Sequence, residues 1–219
     1  MNAVIFDWDG VVIDSSDLHE QSWELLAEEI GKPLPAGHFK AGFGKKNQEI
    51  IPTILRWAED PQDVIRLGDR KEELYRMLVR EQGVHVLPGA RELLSALRDA
   101  AIPRAIGSST PRSNLDAIFA STGLDQFFDA VVSGDDVKNG KPAPDVFLLA
   151  AERLSMSPDR CVVLEDAHVG IEAAHRAGMK VVAVATTHPI EELTAADAAV
   201  RSLMEVTPDF LTRLLGDSE

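Results

Sequence analysis

Asp7-Trp8-Asp9-Gly10 directly follows the apolar run Ala3-Val4-Ile5-Phe6. On an extended backbone residues i and i+2 point the same way, so Asp7 and Asp9 can face one site. Two carboxylates at a buried strand end repel each other and lose hydration, an arrangement that is costly unless a cation or a shared proton relieves it. The alternative is a pair of acidic turn residues ahead of Gly10, since Asp-Gly is a common turn dipeptide.

Three more segments have the composition of a reactive site. Gly107-Ser108-Ser109-Thr110-Pro111 follows Ala105-Ile106 and opens a helical stretch, with Thr110 as the expected N-cap and Pro111 at the first helical position. Capping accounts for Thr110 but not for Ser108. Hydroxyls and free backbone N–H groups between a strand and a helix N-terminus form a natural phosphate site, and a polar capped turn is the other reading. In Lys141-Pro142-Ala143-Pro144-Asp145 the paired prolines suit a helix start and set Lys141 beside the positive end of the helix dipole. A cation there is poorly placed unless an anion lies nearby, while Asp145 can offset the dipole. Glu165-Asp166 leaves an apolar run and precedes a helical stretch stopped by Gly178. Asp166 can be an N-cap, or both acids can converge on a metal at the turn leaving the strand's carboxyl end. Oxygen ligands with no His or Cys partner favour Mg²⁺ over Zn²⁺.

These segments need a scaffold that brings distant parts of the chain together. Short apolar runs rich in β-branched residues at 3–6, 105–106, 130–132, 161–164 and 181–184 read as buried strands, and residues 90–101, 112–122, 144–154 and 169–177 have helical spacing. Alternating strands and helices predict an α/β fold with a doubly wound, Rossmann-like, mainly parallel sheet. Each chemical segment comes just after a predicted strand, so a parallel sheet would gather all four on one edge.

Residues 15–82 break this rhythm with three expected helices and no convincing strand. The expected organisation is a core of 1–14 with 84–219 and an inserted helical domain at 15–83. In its first helix Leu18, Ser22, Leu25, Leu26 and Ile30 share one side, Glu20, Glu24 and Glu28 form a solvated face, and Gly31 with Pro33 supplies the stop. Insertions at this place sit over the carboxyl ends of the strands, which suggests a mobile cap hinged near Asp14 and Val84. No internal repeat or low-complexity segment is present.

With 45% hydrophobic and 26% charged residues, the 219-residue chain has the composition of a soluble globular protein of one or two domains. The single cysteine, Cys161, lies in an apolar run and reads as a buried thiol rather than a nucleophile. No window approaches the length of a membrane span and no basic region with a long apolar stretch opens the chain, so a cytoplasmic location and no membrane partner are expected. A net charge of −14 argues against a nucleic-acid binder, because polyanion affinity needs clustered Lys and Arg. A small anionic substrate remains compatible, and a monomer is expected.

Taken in order, Asp7-x-Asp9-Gly10, Ser108, Lys141 and Glu165-Asp166 resemble the haloacid dehalogenase superfamily over essentially the whole chain. Phe6 to Ser15 (FDWDGVVIDS), Leu26-Ala27-Glu28-Glu29-Ile30-Gly31, Gly140-Lys141-Pro142-Ala143-Pro144-Asp145 and Leu164-Glu165-Asp166-Ala167 resemble its β-phosphoglucomutase-like group with a helical cap. The resemblance implies that Asp7 attacks phosphorus while Asp9 protonates the leaving oxygen and later takes a proton from water or an acceptor hydroxyl. It also implies that Asp7, the Asp9 backbone carbonyl and the carboxylates of Glu165 or Asp166 hold Mg²⁺, with Ser108 and Lys141 on the phosphoryl oxygens. Asp9 disfavours carbon–halogen cleavage, since the family's dehalogenases lack an acid there.

Within that group His19 matches a hinge-side histidine of the mutases, and a solvated helix histidine is the plain alternative. Gly42-Phe43-Gly44-Lys45 stands where the mutases carry Gly-x-Ser-Arg for a distal phosphate, with Lys45 replacing the arginine without its bidentate fork. Ala41 stands where sugar mutases usually have a lysine. Ser109 and Arg112 join His19 and Lys45 as candidate substrate contacts, although Arg112 can equally lie on a helix surface; Lys46 and Asn47 stay undecided. The implied activity is a phosphatase acting on a small phosphorylated metabolite, foremost a sugar phosphate. The alternatives are a β-phosphoglucomutase-type isomerase and a non-catalytic sugar-phosphate-binding protein.

Overall fold

Ala3–Phe6 (β1) is four residues of unbroken apolar sequence with every side chain buried, as expected for a strand covered on both faces. In the computed structural model, which describes residues 2–42 and 45–216, β1 is central in a six-stranded sheet. Its companions are Arg104–Gly107 (β4), Ala130–Val132 (β5), Cys161–Glu165 (β6), Lys180–Val184 (β7) and Ala198–Val200 (β8), in the order β5-β4-β1-β6-β7-β8 with every pair parallel. The fold class is α/β and doubly wound. The order reverses at β1, where the chain runs outward first through β4 and β5 and then through β6, β7 and β8, and an open sheet binds ligands at such a switch point.

The helices of this unit are Ala90–Asp99 (α5), Arg112–Thr122 (α6), Asp145–Arg153 (α7), His168–Arg176 (α8) and Pro208–Leu214 (α9). Ala3 and Ile5 on one face of β1 join a core with Phe147 of α7 and Ile171 of α8. On the opposite face Phe6 meets Phe128 edge to face at 5.8 Å, and Trp8 packs edge to face against Phe119 of α6 at 5.4 Å. Trp8 is fully buried, so the alternation of an extended backbone turns its two acidic neighbours the other way.

The chain divides into two compact units, Met1–Asp14 with His85–Glu219, and Ser15–Val84. Both passages of the chain run through one small antiparallel ladder, Ile13–Asp14 (β2) with His85–Val86 (β3), in which Ile13 faces Val86. The second unit holds Ser16–Ile30 (α1), His38–Gly42 (α2), Asn47–Glu49 (α3), a π-helical turn at Ile50–Leu55 and Pro61–Gln82 (α4). The three expected helices are thus two long ones and a series of short pieces. Trp23 and Leu26 of α1 pack with Ile51, Trp57, Leu67 and Leu74 around its own core, and Gly31 ends α1 in the left-handed conformation at φ 65°.

Two local expectations are corrected. Pro111, not Thr110, is the N-cap residue of α6, because the Thr110 hydroxyl is taken by Asp9 and the Arg112 N–H is held by Asp135 at 2.8 Å. Ala167 stands at the N-cap of α8, so Asp166 does not cap it. Strand β8, the β2/β3 ladder and α9 escape the sequence reading because each is short and partly exposed.

Gly170 in the first turn of α8 links fold and site. A Cβ there would lie 1.6 Å from Oε1 of Glu165, so the helix can approach β6 only without a side chain. Helix propensity alone favours Gly→Ala by roughly 1 kcal/mol. We expect the opposite: Gly170→Ala lowers stability by about 1–3 kcal/mol through overpacking, read as an earlier urea midpoint. An unchanged midpoint would mean that the Glu165 side chain has a second place to go.

Candidate active site

Strand register builds the site. Phe6 of β1 stands beside Ile106 of β4 and Leu164 of β6, so the residues that follow, Asp7, Gly107-Ser108 and Glu165-Asp166, leave the sheet at one edge. The Asp7 N–H continues the ladder by donating to the Leu164 carbonyl at 2.9 Å. Beyond Asp7 the backbone folds sharply, with the Val12 N–H donating to the Trp8 carbonyl at 2.9 Å and Gly10 at φ 78°. A Cβ on Gly10 would sit 2.0 Å from Oδ2 of Asp166, so this glycine serves both the turn and the approach of the carboxylate.

Lys141 occupies the centre of the cluster. Its ammonium donates to Oδ1 of Asp7 and to Oε1 of Glu165, both at 2.8 Å, and lies 4.7 Å from the Phe147 ring centroid. The anion that its place near a helix start demanded is this pair of carboxylates. Glu165 also accepts from the Ala167 N–H at 2.6 Å, and Asp166 accepts from the Thr187 hydroxyl. Asp7, Glu165 and Asp166 are 9%, 1% and 3% exposed, so one ammonium answers three nearly dry acids.

Burial pushes the Asp7 carboxyl up to about 7; Lys141 draws it down, and the neighbouring charges of Glu165 and Asp9 add to the rise. Burial also holds Asp166 well above the usual carboxylate range, helped by Glu165 and then Asp7. Burial opposes the charge on Lys141, but Asp7 and Glu165 outweigh it and raise its pKa. Ligand atoms of Asp7, Glu165 and Asp166 all lie within 4.8 Å of one another. Hard oxygen donors in a buried cluster where three acids face one ammonium fit Mg²⁺ in donor type and electrostatics.

The other expected residues fall into place unevenly. Asp9 accepts a hydrogen bond from the Thr110 hydroxyl. Ser108 is buried and its Oγ accepts from the Thr110 N–H at 3.0 Å, which pins the loop after β4 at the same edge. Ser109 is exposed. Arg112 lies on the surface of α6, paired with Asp116 at 2.8 Å. In the helical unit His19 stacks on Tyr75 at 4.1 Å with Nδ1 2.6 Å from the Lys71 ammonium. Lys45 pairs with Glu49, and Asn47 donates to Glu72 at 2.7 Å; Phe43 and Gly44 lie outside the described residues. Cys161 is buried and its thiol is pushed up to about 11 by that burial, as suits an inert side chain.

Thr187 and Lys71 have no counterpart in the sequence reading, and Thr110 enters it only as an N-cap. Thr187 contacts Asp166 from a loop whose spacing carries no motif, and the Thr110 hydroxyl contacts Asp9 from within the Ser108 segment. Lys71 is 3% exposed, and its signal was available: it stands on the apolar side of α4, between Leu67 and Leu74, where a lysine needs a reason.

The raised carboxyls set a pH signature. In the unfolded chain an Asp titrates near 3.9, so between there and about 7 the folded protein holds more protons than the unfolded one through Asp7. Stability from this group is fully present below the lower value and is lost as pH rises through the upper one. In EDTA the melting temperature should therefore fall as pH rises across this window, and Mg²⁺ should raise it more at pH 8 than at pH 5. Thermal melts with and without the metal check this; equal responses at both values would sink the metal assignment.

A family model described as haloacid dehalogenase-like hydrolase matches residues 1–178. The chloroplastic 5-amino-6-(5-phospho-D-ribitylamino)uracil phosphatase of Arabidopsis thaliana is 43% identical over 94% of the chain, which spans 55% of that relative's length. The phosphorylated carbohydrates phosphatase of Thermotoga maritima is 34% identical, covering 82% of the chain and 83% of the relative. Among solved structures, a family IA, variant 3 hydrolase from Entamoeba histolytica superposes with a TM-score of 0.90 at 30% identity, covering 99% of this chain and all of that one. With its sheet order, its carboxylate edge and these relatives in agreement, the chain belongs to the haloacid dehalogenase-like hydrolases.

Proposed function

We propose that the protein is a Mg²⁺-dependent phosphatase that removes phosphate from a small phosphorylated metabolite, foremost a sugar phosphate, through an aspartyl-phosphate on Asp7. The observation that carries this reading is the placement of Asp7 in a buried cluster with Lys141, Glu165 and Asp166. A cluster so costly in desolvation needs a chemical purpose, and phosphate monoesters are among the slowest substrates to hydrolyse unaided.

In this mechanism an Asp7 carboxylate oxygen forms the bond to phosphorus as the bond to the ester oxygen breaks, and the Asp9 carboxyl gives its proton to the departing oxygen. Asp9, now a carboxylate, takes a proton from water as that water attacks the phosphorus of the acyl phosphate. Phosphate leaves and Asp7 is restored. Lys141 and Ser108 bind the transferring oxygens, and Lys141 holds Asp7 in line. Thr110 keeps the Asp9 side chain oriented between turnovers. When bound by Asp7, the Asp9 backbone carbonyl, Glu165 and Asp166, Mg²⁺ would supply the positive charge that offsets repulsion between nucleophile and phosphate dianion. His19 and Lys45 in the helical unit, with Ser109 and Arg112 at the sheet edge, are the proposed contacts to the rest of the substrate.

The names of the Arabidopsis and Thermotoga relatives, one specifying a phosphoribityl group and the other phosphorylated carbohydrates, support the substrate class. A transfer to a second hydroxyl instead of water is the competing outcome, and Ala41 in place of the mutases' lysine weighs against it. Phosphate release should be followed on sugar phosphates, phosphorylated sugar alcohols and the ribitylamino-uracil phosphate, with Mg²⁺ and with EDTA. β-Glucose 1-phosphate plus a glucose 1,6-bisphosphate primer runs alongside. Metal-dependent release is expected, and Asp7→Asn should cut turnover by at least about a thousandfold while the circular dichroism spectrum is kept. Isomerised product without net phosphate would establish the mutase; wild-type turnover in the variant would refute covalent catalysis at Asp7.

A further inference from the structure

Apart from the Asp7 cluster, one other group of three potential metal-ligating side chains occurs among the described residues: His168, His188 and Glu192, whose ligand atoms all lie within 4.8 Å of one another. They come from separate parts of the sheet unit. His168 is the first residue of α8, His188 lies in the loop leaving β7, and Glu192 closes the short 3-10 turn Ile190–Glu192. His188 Nδ1 is 3.9 Å from Glu192 Oε2, and the two imidazole rings are 4.7 Å apart between centroids, tilted by 46°.

We propose that these three residues form a second cation site, selective for a borderline transition ion of the Zn²⁺ class. Its donors differ in kind from those of the buried cluster. Two imidazoles and a carboxylate are a three-ligand zinc set that leaves a coordination position for water, whereas Mg²⁺ prefers oxygen alone. Donor atoms around a tetrahedral Zn²⁺ stand about 3.4 Å apart, given bonds of about 2.0–2.1 Å. Closing the present spacing requires modest side-chain rotation, which the exposure of His168 and Glu192 permits.

The placement makes the site more than a surface coincidence of histidines. His168 follows two residues after Asp166, and His188 directly follows Thr187, whose hydroxyl is bonded to Asp166. A cation held by both histidines would therefore tie the loop after β7 to the start of α8, the two segments that flank the Asp166 carboxylate. The assignment stands on these donors alone and does not require the proposed phosphatase reaction.

Calorimetric titration of Zn²⁺ into protein kept in saturating Mg²⁺ tests it, comparing wild type, His168→Ala/His188→Ala and Asp166→Asn. One equivalent should bind to wild type and to Asp166→Asn, and at least about tenfold more weakly to the double histidine variant. Unaltered melting of that variant without Zn²⁺ would confirm its fold; should it melt early, Glu192→Gln is the second probe and should weaken Zn²⁺ in the same way. Visible absorption of Co²⁺ should show imidazole ligation in wild type and lose it in the histidine variant. Zn²⁺ binding that survives the histidine changes, disappears with Asp166→Asn or is absent from wild type overturns the site.

Discussion

Three carboxylates share one lysine in a place from which water is nearly excluded, and most of the surrounding structure can be understood as answering that imbalance. Asp7, Glu165 and Asp166 repel one another, and Lys141 satisfies only the first two directly. Such a cluster is tolerated only where rigid elements leave the acids no other position. The rigidity has visible sources: Trp8 wedged under Phe119, two strands in fixed register with β1, and a helix that reaches Glu165 only because residue 170 is glycine. The remaining shortage of positive charge is what a divalent cation among these carboxylates would offset.

How far the sequence reveals this depends on which physical signal each part carries. The central strands are legible because burial on both faces writes itself as unbroken apolar runs, and the sheet edge follows because every acidic or hydroxyl motif terminates such a run. Boundaries were less legible where two capping partners compete. Thr110 is a good N-cap by type, yet a carboxylate from a hundred residues away takes its hydroxyl, and nothing local announces that. Edge strand β8 and the β2/β3 ladder are too short for periodicity to register.

The cap-side candidates show a different limit. His19 reads as an ordinary helix residue until α4 is laid beside it, when stacking on Tyr75 and the contact with Lys71 give it a defined orientation. The burial of Lys71 was inferable from its apolar neighbours at helical spacing, whereas its partner could come only from tertiary packing. Arg112 shows the converse: proximity in sequence to the Ser108 loop suggests a ligand, and the structure adds an i, i+4 pair with Asp116 on the α6 surface that a substrate contact would have to exchange.

The ladder in which Ile13 faces Val86 has an evolutionary corollary. Because the two ends of the inserted segment are hydrogen-bonded neighbours, the sheet sees everything between them as one hairpin loop. Loop closure grows only logarithmically with length, so lengthening, shortening or replacing that segment perturbs the catalytic edge very little. A lineage with this architecture can exchange the whole inserted segment by insertion or deletion at a single point while the register of the sheet is left untouched.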